Sequence, residues 1–243
     1  MTEQEKIANL LYPNCKYTVE DIVKKYPKRQ LPEGAEVTRI APSPTGFLHI
    51  GTAYIALINK LIASNGGVFY FRLEDTDKKR EVENSGDIAY DMLCKFNIKP
   101  QEGFTGENKP EIGAYGPYRQ SDRKEIYEVF AKYLVEKGKA FPCFCKKTES
   151  IAEIKERREK ELEENADLES KDPCRNLTYD EIKAKIDAGE EFALRLKSCG
   201  NEENVFKFTD LAKGERELRE NDKDIVLIKS NGIPVYAFAH AID

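Results

Sequence analysis

The stretch Val37-Thr-Arg-Ile-Ala-Pro-Ser-Pro-Thr-Gly-Phe-Leu-His-Ile-Gly51 decides the fold. Val37–Ala41 is a short, mostly apolar run with β-branched residues, as a buried strand requires. Pro42 and Pro44 fix their own φ and hold the residues before them extended, so the loop is stiff and presents Ser43 between two rings. His49-Ile-Gly51 then enters a helix predicted over Gly51–Ser64, with Tyr54, Leu57, Ile58, Leu61 and Ile62 on one face. Asn65-Gly66-Gly67 stops it with residues that accept left-handed backbone. A helix start offers free N–H groups and a partial positive charge, so this layout suits phosphate at the carboxyl end of a parallel strand. Gly51 leaves that turn open to a flat base.

Working outward, Val68–Leu73 is the second strand, returning parallel after the crossover helix. Ile88, Met92, Leu93 and Phe96 mark the next helix, and Ser121 is placed as an N-cap before Ile126, Val129, Phe130, Tyr133 and Leu134. Strands alternating with helices define an α/β class with a doubly wound parallel sheet. Residues 1–35 read as an N-terminal helical extension of two short helices, with Thr18 and Asp21 forming a capping box and Pro27 and Pro32 breaking the chain. This arm packs on the core, or else its Lys24, Lys25, Lys28 and Arg29 touch nucleic acid. Residues 36–139 form the first half of the α/β domain. Residues 140–222 change in texture, with a highly charged helix over Ile151–Leu168 and a strand at Phe192–Lys197, and read as an inserted lobe. Residues 223–243 resume the domain, with a strand at Ile225–Ile228 expected to rejoin the parallel sheet.

Composition sets bounds on function. The 243 residues suffice for a sizeable core, and 40% hydrophobic residues is ordinary for a soluble protein. No apolar run is long enough to span a bilayer, and the acidic, polar start Met1–Lys6 is unlike a secretory signal, so a cytoplasmic protein without a membrane partner is expected. Six cysteines are too sparse for a disulfide framework. The net charge of −5 neither requires nor forbids RNA, since local basic patches suffice.

Three groups of residues are candidates for chemistry. His49, at the helix start, can donate to phosphate, or it is a polar helix-cap histidine. Arg39 and Glu74 lie toward the carboxyl ends of neighbouring strands, so they can take a carboxylate and an ammonium group, or they form a structural ion pair. Tyr236 and His240 are four residues apart and share a helical face.

His49-Ile-Gly-Thr52 resembles the first signature of class I aminoacyl-tRNA synthetases. Arg39–Gly46, Arg72-Leu-Glu-Asp-Thr-Asp77, Gly116-Pro-Tyr-Arg-Gln-Ser121 and Asp224–Tyr236 resemble the glutamyl-tRNA synthetase form of that family, bacterial type. The resemblance runs from about Glu36 onward and implies a Rossmann-like catalytic domain, with residues 140–222 as the acceptor-stem-binding insertion. It implies ATP with Mg2+, L-glutamate and tRNA(Glu) as ligands, and a monomer at full length. His49, Gly51 and Thr52 would be catalytic, and Pro44, Thr45, Gly46, His49 and Gly51 would bind ATP. Arg39, Ala41, Ser43, Glu74, Tyr236 and His240 would bind glutamate. His240 departs from the pattern, since glutamyl enzymes of this type often have Asn there and glutaminyl enzymes often have His. Many bacterial relatives bind zinc through Cys-x-Cys and a later Cys-x-His. Here Cys143-Phe-Cys145 is followed by Cys174-Arg-Asn176, so the fourth ligand is missing, zinc is not expected, and Cys199 is the candidate substitute. No Lys-Met-Ser-Lys-like second signature occurs, so the chain is expected to be a truncated catalytic fragment of very low activity alone. A glutaminyl enzyme, a glutamyl-queuosine paralogue and an inactive tRNA-binding fragment stay open as alternatives.

Overall fold

The structure is a computed structural model that describes residues 1–46, 48–76, 80–145, 173–201 and 203–243. The charged helix expected at Ile151–Leu168 lies outside the described residues. The chain divides into two compact units, one of residues 16–129 and one of residues 1–15 with 130–243. The two helices expected in the first 35 residues are present as α1 (Glu3–Leu11) and α2 (Val19–Lys25), and they fall in different units. Each starts with a capping box, Thr2 with Glu5 and Thr18 with Asp21, which fills N–H groups that a helix start leaves open.

The 16–129 unit is built on a parallel sheet of β1 (Val37–Ile40), β2 (Val68–Phe71) and β3 (Glu102–Gly103), in that order. Helix α3 (Ile50–Ile62) connects β1 to β2, and α4 (Ser85–Lys95) connects β2 to β3. Phe69, Phe71, Leu73, Leu93, Phe104 and Tyr118 form the core beside Ile40. Gly103 is obligatory here, since its φ is +132° and a Cβ would sit 2.2 Å from the Phe71 carbonyl oxygen. Helix α3 meets this core through Ala56 and its C-cap Ala63 rather than through its large residues. Tyr54, Leu57, Ile58, Leu61 and Ile62, the face that spacing marks as apolar, are all exposed.

In the other unit, β4 (Ala140–Cys143), β5 (Ala193–Leu196) and β8 (Val226–Ile228) form an antiparallel sheet in the order β4-β5-β8. This corrects the expectation that Ile225–Ile228 rejoins the parallel sheet. A three- or four-residue apolar run fits either kind of ladder, and packing decides: Leu194, fully buried, stands opposite Ile228, and the Leu196 N–H bonds to the Ile225 carbonyl at 2.9 Å. Strands β6 (Val205–Asp210) and β7 (Gly214–Arg219) form a separate exposed hairpin. Helix α6 (Tyr179–Asp187) packs with α1, whose Glu3 accepts the Tyr179 N–H at 3.2 Å. Helix α5 (Lys124–Glu136) leads from one unit into the other, and α7 (Tyr236–Ile242) closes the described chain.

Ser121 is not an N-cap. It lies inside a 3-10 turn, Gln120–Arg123, that precedes α5, and its hydroxyl is committed to Asp75 instead. A serine three residues upstream of a periodic run is a cap only if no stronger acceptor competes, and a buried carboxylate does.

Candidate active site

The loop after β1 is pinned by backbone bonds on both sides. The Pro42 carbonyl accepts the Glu74 N–H at 3.1 Å, and the Pro44 carbonyl accepts the Val82 N–H at 2.8 Å. Thr45 N–H turns back onto the Ser43 carbonyl at 2.8 Å. Pro44 is buried, Ala41 and Gly46 are half-buried, and Ser43 and Thr45 are exposed, so the loop offers its polar side chains outward.

His49 is the N-cap of α3. Its Nδ1 accepts the Gly51 N–H at 3.0 Å, and its carbonyl accepts the Thr52 and Ala53 N–H groups at 2.9 and 3.2 Å. An Nδ1 that accepts carries no proton, so in the neutral ring the proton is on Nε2, aimed away from the cap. His49 and Gly51 are both exposed, and a Cβ at position 51 would lie 3.2 Å from the imidazole nitrogen. The helix-cap and donor readings of His49 are therefore compatible: one ring nitrogen caps, and the other carries a donor at a positive helix end.

Arg39 and Glu74 are brought together. Arg39 stands opposite Tyr70 in the β1–β2 ladder, Glu74 follows β2, and Nη1 lies 3.5 Å from Oε1 with the two side chains 18% and 13% exposed. The contact is looser than a tight charge-assisted hydrogen bond. A cavity of about 530 Å³ adjoins the loop at Pro44 and carries Glu81, Glu83 and Glu107 on its wall; Arg39, Glu74 and His49 are not part of it.

Tyr236 and His240 lie in the other unit, on α7. Their rings stack at 5.4 Å between centroids and 17° between planes, as the four-residue spacing requires, and both are exposed.

Sequence reasoning missed how the acidic and Tyr-Arg-Gln-Ser blocks work together. Asp75, fully buried, accepts the Ser121 N–H at 2.8 Å and the Ser121 hydroxyl at 2.6 Å, and its Oδ2 lies 3.3 Å from Arg119 Nε. Arg119 also pairs with Glu107. No local signal marked Asp75 as the buried acid, since its partner Ser121 lies 46 residues away.

The sulfurs of Cys143, Cys145 and Cys174 lie within 4.8 Å of one another. Cys143 and Cys174 are buried, whereas Cys145 is exposed. The Phe144 N–H donates to the Cys174 sulfur at 3.4 Å. Three thiols fall one short of the four ligands of a structural zinc site, and among the described residues Cys199 does not join them.

The parallel sheet, the pinned Pro-Ser-Pro loop, the histidine-capped helix and the Arg39/Glu74 pair lie together in the 16–129 unit. The family model for class I tRNA synthetases (E and Q), catalytic domain, matches residues 36–243, and the chain belongs to that family. A glutamate–tRNA ligase of Clostridium beijerinckii is 48% identical over 240 residues, covering 98% of this chain and 43% of the relative. One from Clostridium perfringens is 46% identical over 243 residues, again 98% of this chain and 44% of the relative. Among solved structures, the glutamate tRNA ligase from Elizabethkingia meningosepticum, in complex with its amino acid, matches with a TM-score of 0.68 and 30% identity, over 87% of this chain and 41% of that one. The chain thus spans less than half the length of the curated relatives it matches. No helix among the described residues is long and apolar enough to cross a membrane.

Proposed function

We propose that this chain carries the amino-acid-activating site of a glutamate–tRNA ligase, which joins glutamate to ATP as glutamyl-adenylate and passes it to tRNA(Glu). The observation that carries the reading is the placement of Arg39 and Glu74 at neighbouring strand ends, beside a loop that leads to His49 at the start of α3. Free glutamate has a side-chain carboxylate and an ammonium group. Arg39 forks onto the first and Glu74 accepts from the second, so substrate replaces the loose contact between the two side chains by two closer ones. Ser43 and Ala41 complete the glutamate contacts of this unit in the assignment.

The reaction is an in-line attack of the α-carboxylate on the α-phosphate, with pyrophosphate leaving and no covalent enzyme intermediate. The protein must hold two anions in line and neutralise charge as it grows on the phosphate. In this reading Nε2–H of His49 and the positive end of α3 do so, Gly51 gives the adenine a flat seat, and Pro44, Thr45, Gly46 and Thr52 shape the phosphate approach. Mg2+ arrives with ATP as part of the substrate. The protein is proposed to work in the cytoplasm as a monomer.

The test is glutamate-dependent ATP–pyrophosphate exchange by the natural polypeptide that carries residues 1–243, with tRNA present. Exchange with glutamate and not with glutamine supports the reading; exchange with glutamine alone overturns it.

A further inference from the structure

We propose that Asp75 is a positioning residue that aims Glu74 at the substrate ammonium group, an inference that rests on the glutamate reading above. Asp75 is 0% exposed, and the chemistry just described makes no use of it. A buried carboxylate is costly unless its oxygens are filled. Here Oδ1 takes the Ser121 N–H at 2.8 Å and Oδ2 takes the Ser121 hydroxyl at 2.6 Å, while the Arg119 guanidinium supplies opposite charge, its Nε 3.3 Å from Oδ2 without a hydrogen bond to it.

These contacts extend a backbone ladder. The Leu73 N–H bonds to the Tyr118 carbonyl and the Gln120 N–H to the Leu73 carbonyl, both at 2.9 Å, in a parallel bridge between Leu73 and Arg119. The Thr76 hydroxyl donates to Gln120 Oε1 at 3.2 Å. Tyr118–Ser121 therefore runs beside Leu73–Thr76, and Asp75 continues the ladder with its side chain where the backbone bonds stop.

Successive side chains of an extended segment point to opposite sides. Pinning Asp75 toward Ser121 sends Glu74 the other way, to the side where Arg39 Nη1 lies 3.5 Å from its carboxylate and Pro42 takes its N–H. A slip of one residue would exchange the two acids and leave the wrong carboxylate inside. The Tyr-Arg-Gln-Ser block thereby sets which of two adjacent acids reaches the substrate.

The experiment measures steady-state exchange by the natural polypeptide carrying these residues, as wild type, Asp75→Asn, Ser121→Ala and Ser121→Thr, each checked for folding by circular dichroism and thermal melting. Asp75→Asn sets an amide donor against Arg119 or Ser121, so the KM for glutamate is expected to rise by about tenfold or more while the KM for ATP and kcat stay within about threefold. Ser121→Ala removes only the hydroxyl contact and should raise the glutamate KM by roughly threefold; Ser121→Thr, which keeps the hydroxyl, should restore it. In a Glu74→Gln background, Asp75→Asn should add little, because it acts through Glu74. A folded Asp75→Asn with unchanged glutamate KM, or one that raises the KM for ATP equally, overturns the inference. If Asp75→Asn does not fold, Ser121→Ala decides alone: no selective change in glutamate KM overturns it. A wild type that does not activate glutamate removes the underlying reading instead, and the two failures are thus distinguishable.

Discussion

Arg29 and Glu102 meet as a fork, Nη1 to Oε1 and Nη2 to Oε2 at 2.7 Å each, although 73 residues separate them. Tyr118 donates to the same carboxylate at 2.6 Å, and the guanidinium lies 3.8 Å from the centre of the Tyr115 ring. The pair ties the segment after α2 to β3, and it gives a basic residue of the N-terminal arm a structural role. The Arg29 hydrogen bonds hold the Glu102 carboxyl below its ordinary value of 4.5, with the Tyr118 bond helping. Burial and that bond push the Tyr118 hydroxyl up.

Folding lowers the Glu102 pKa, so its contribution is complete above about pH 4.5 and is lost as pH falls through the lowered folded value. Glu102→Gln should therefore cost about 2 kcal/mol at pH 7 and progressively less toward pH 3. Urea melts of both proteins across that range measure it; an equal difference at all pH values would exclude the linkage.

His49 has two roles that substitution can separate. His49→Ala removes a helix cap, costing about 1 kcal/mol of stability, and removes the proposed phosphate donor, cutting exchange by about a hundredfold. His49→Asn should recover the cap, because its side-chain oxygen can accept the Gly51 N–H, while its shorter reach leaves exchange low. Thermal melts and exchange assays on the same samples check this, and recovery of both together would assign His49 to the cap alone.

Arg39 is expected to select the acid over the amide. Against glutamine the guanidinium would meet a neutral amide, so a weaker contact replaces the charge-assisted pair, at a cost on the order of a thousandfold in kcat/KM. Arg39→Gln should lose glutamate activation chiefly through the specificity constant. Side-by-side kinetics with both amino acids and tRNA decide it.

The thiol cluster predicts a metal result. With three sulfurs gathered and a fourth ligand absent among the described residues, purified protein should hold well under one zinc per chain. Stoichiometric zinc by elemental analysis, lost in Cys143→Ser, would show that another donor completes the set.

Local signals were legible where the physics is local. The Thr18–Asp21 capping box, the β-branched and aromatic runs of β1 and β2, and the Tyr236/His240 face all follow from neighbours a few residues apart, and all are present. What could not be read was decided at long range. Val226–Ile228 contains nothing that distinguishes a parallel from an antiparallel partner until Leu194 is placed opposite Ile228. Helix α3 has correct apolar spacing, yet the sheet it crosses takes up its alanines. Ser121 has the spacing of a cap, but the competitor for its hydroxyl, Asp75, lies 46 residues away. In the candidate site, residue types were legible and distances were not: Arg39 and Glu74 fall toward the ends of neighbouring strands by pattern alone, but the hold of Ser121 on Asp75 needed the ladder.

The split of the N-terminal arm has a consequence for how the molecule comes apart. The chain passes between its two units twice, at Cys15–Lys16 and at Val129–Phe130. Helix α1, held by Glu3 on α6 and by Tyr12 edge-on to Phe192 at 6.4 Å, acts as a plug that fastens the first passage by noncovalent means. A single protease cut at either passage leaves a connection intact: after the first, the backbone through α5; after the second, the plug. Cutting both passages leaves no backbone between residues 16–129 and the rest of the chain.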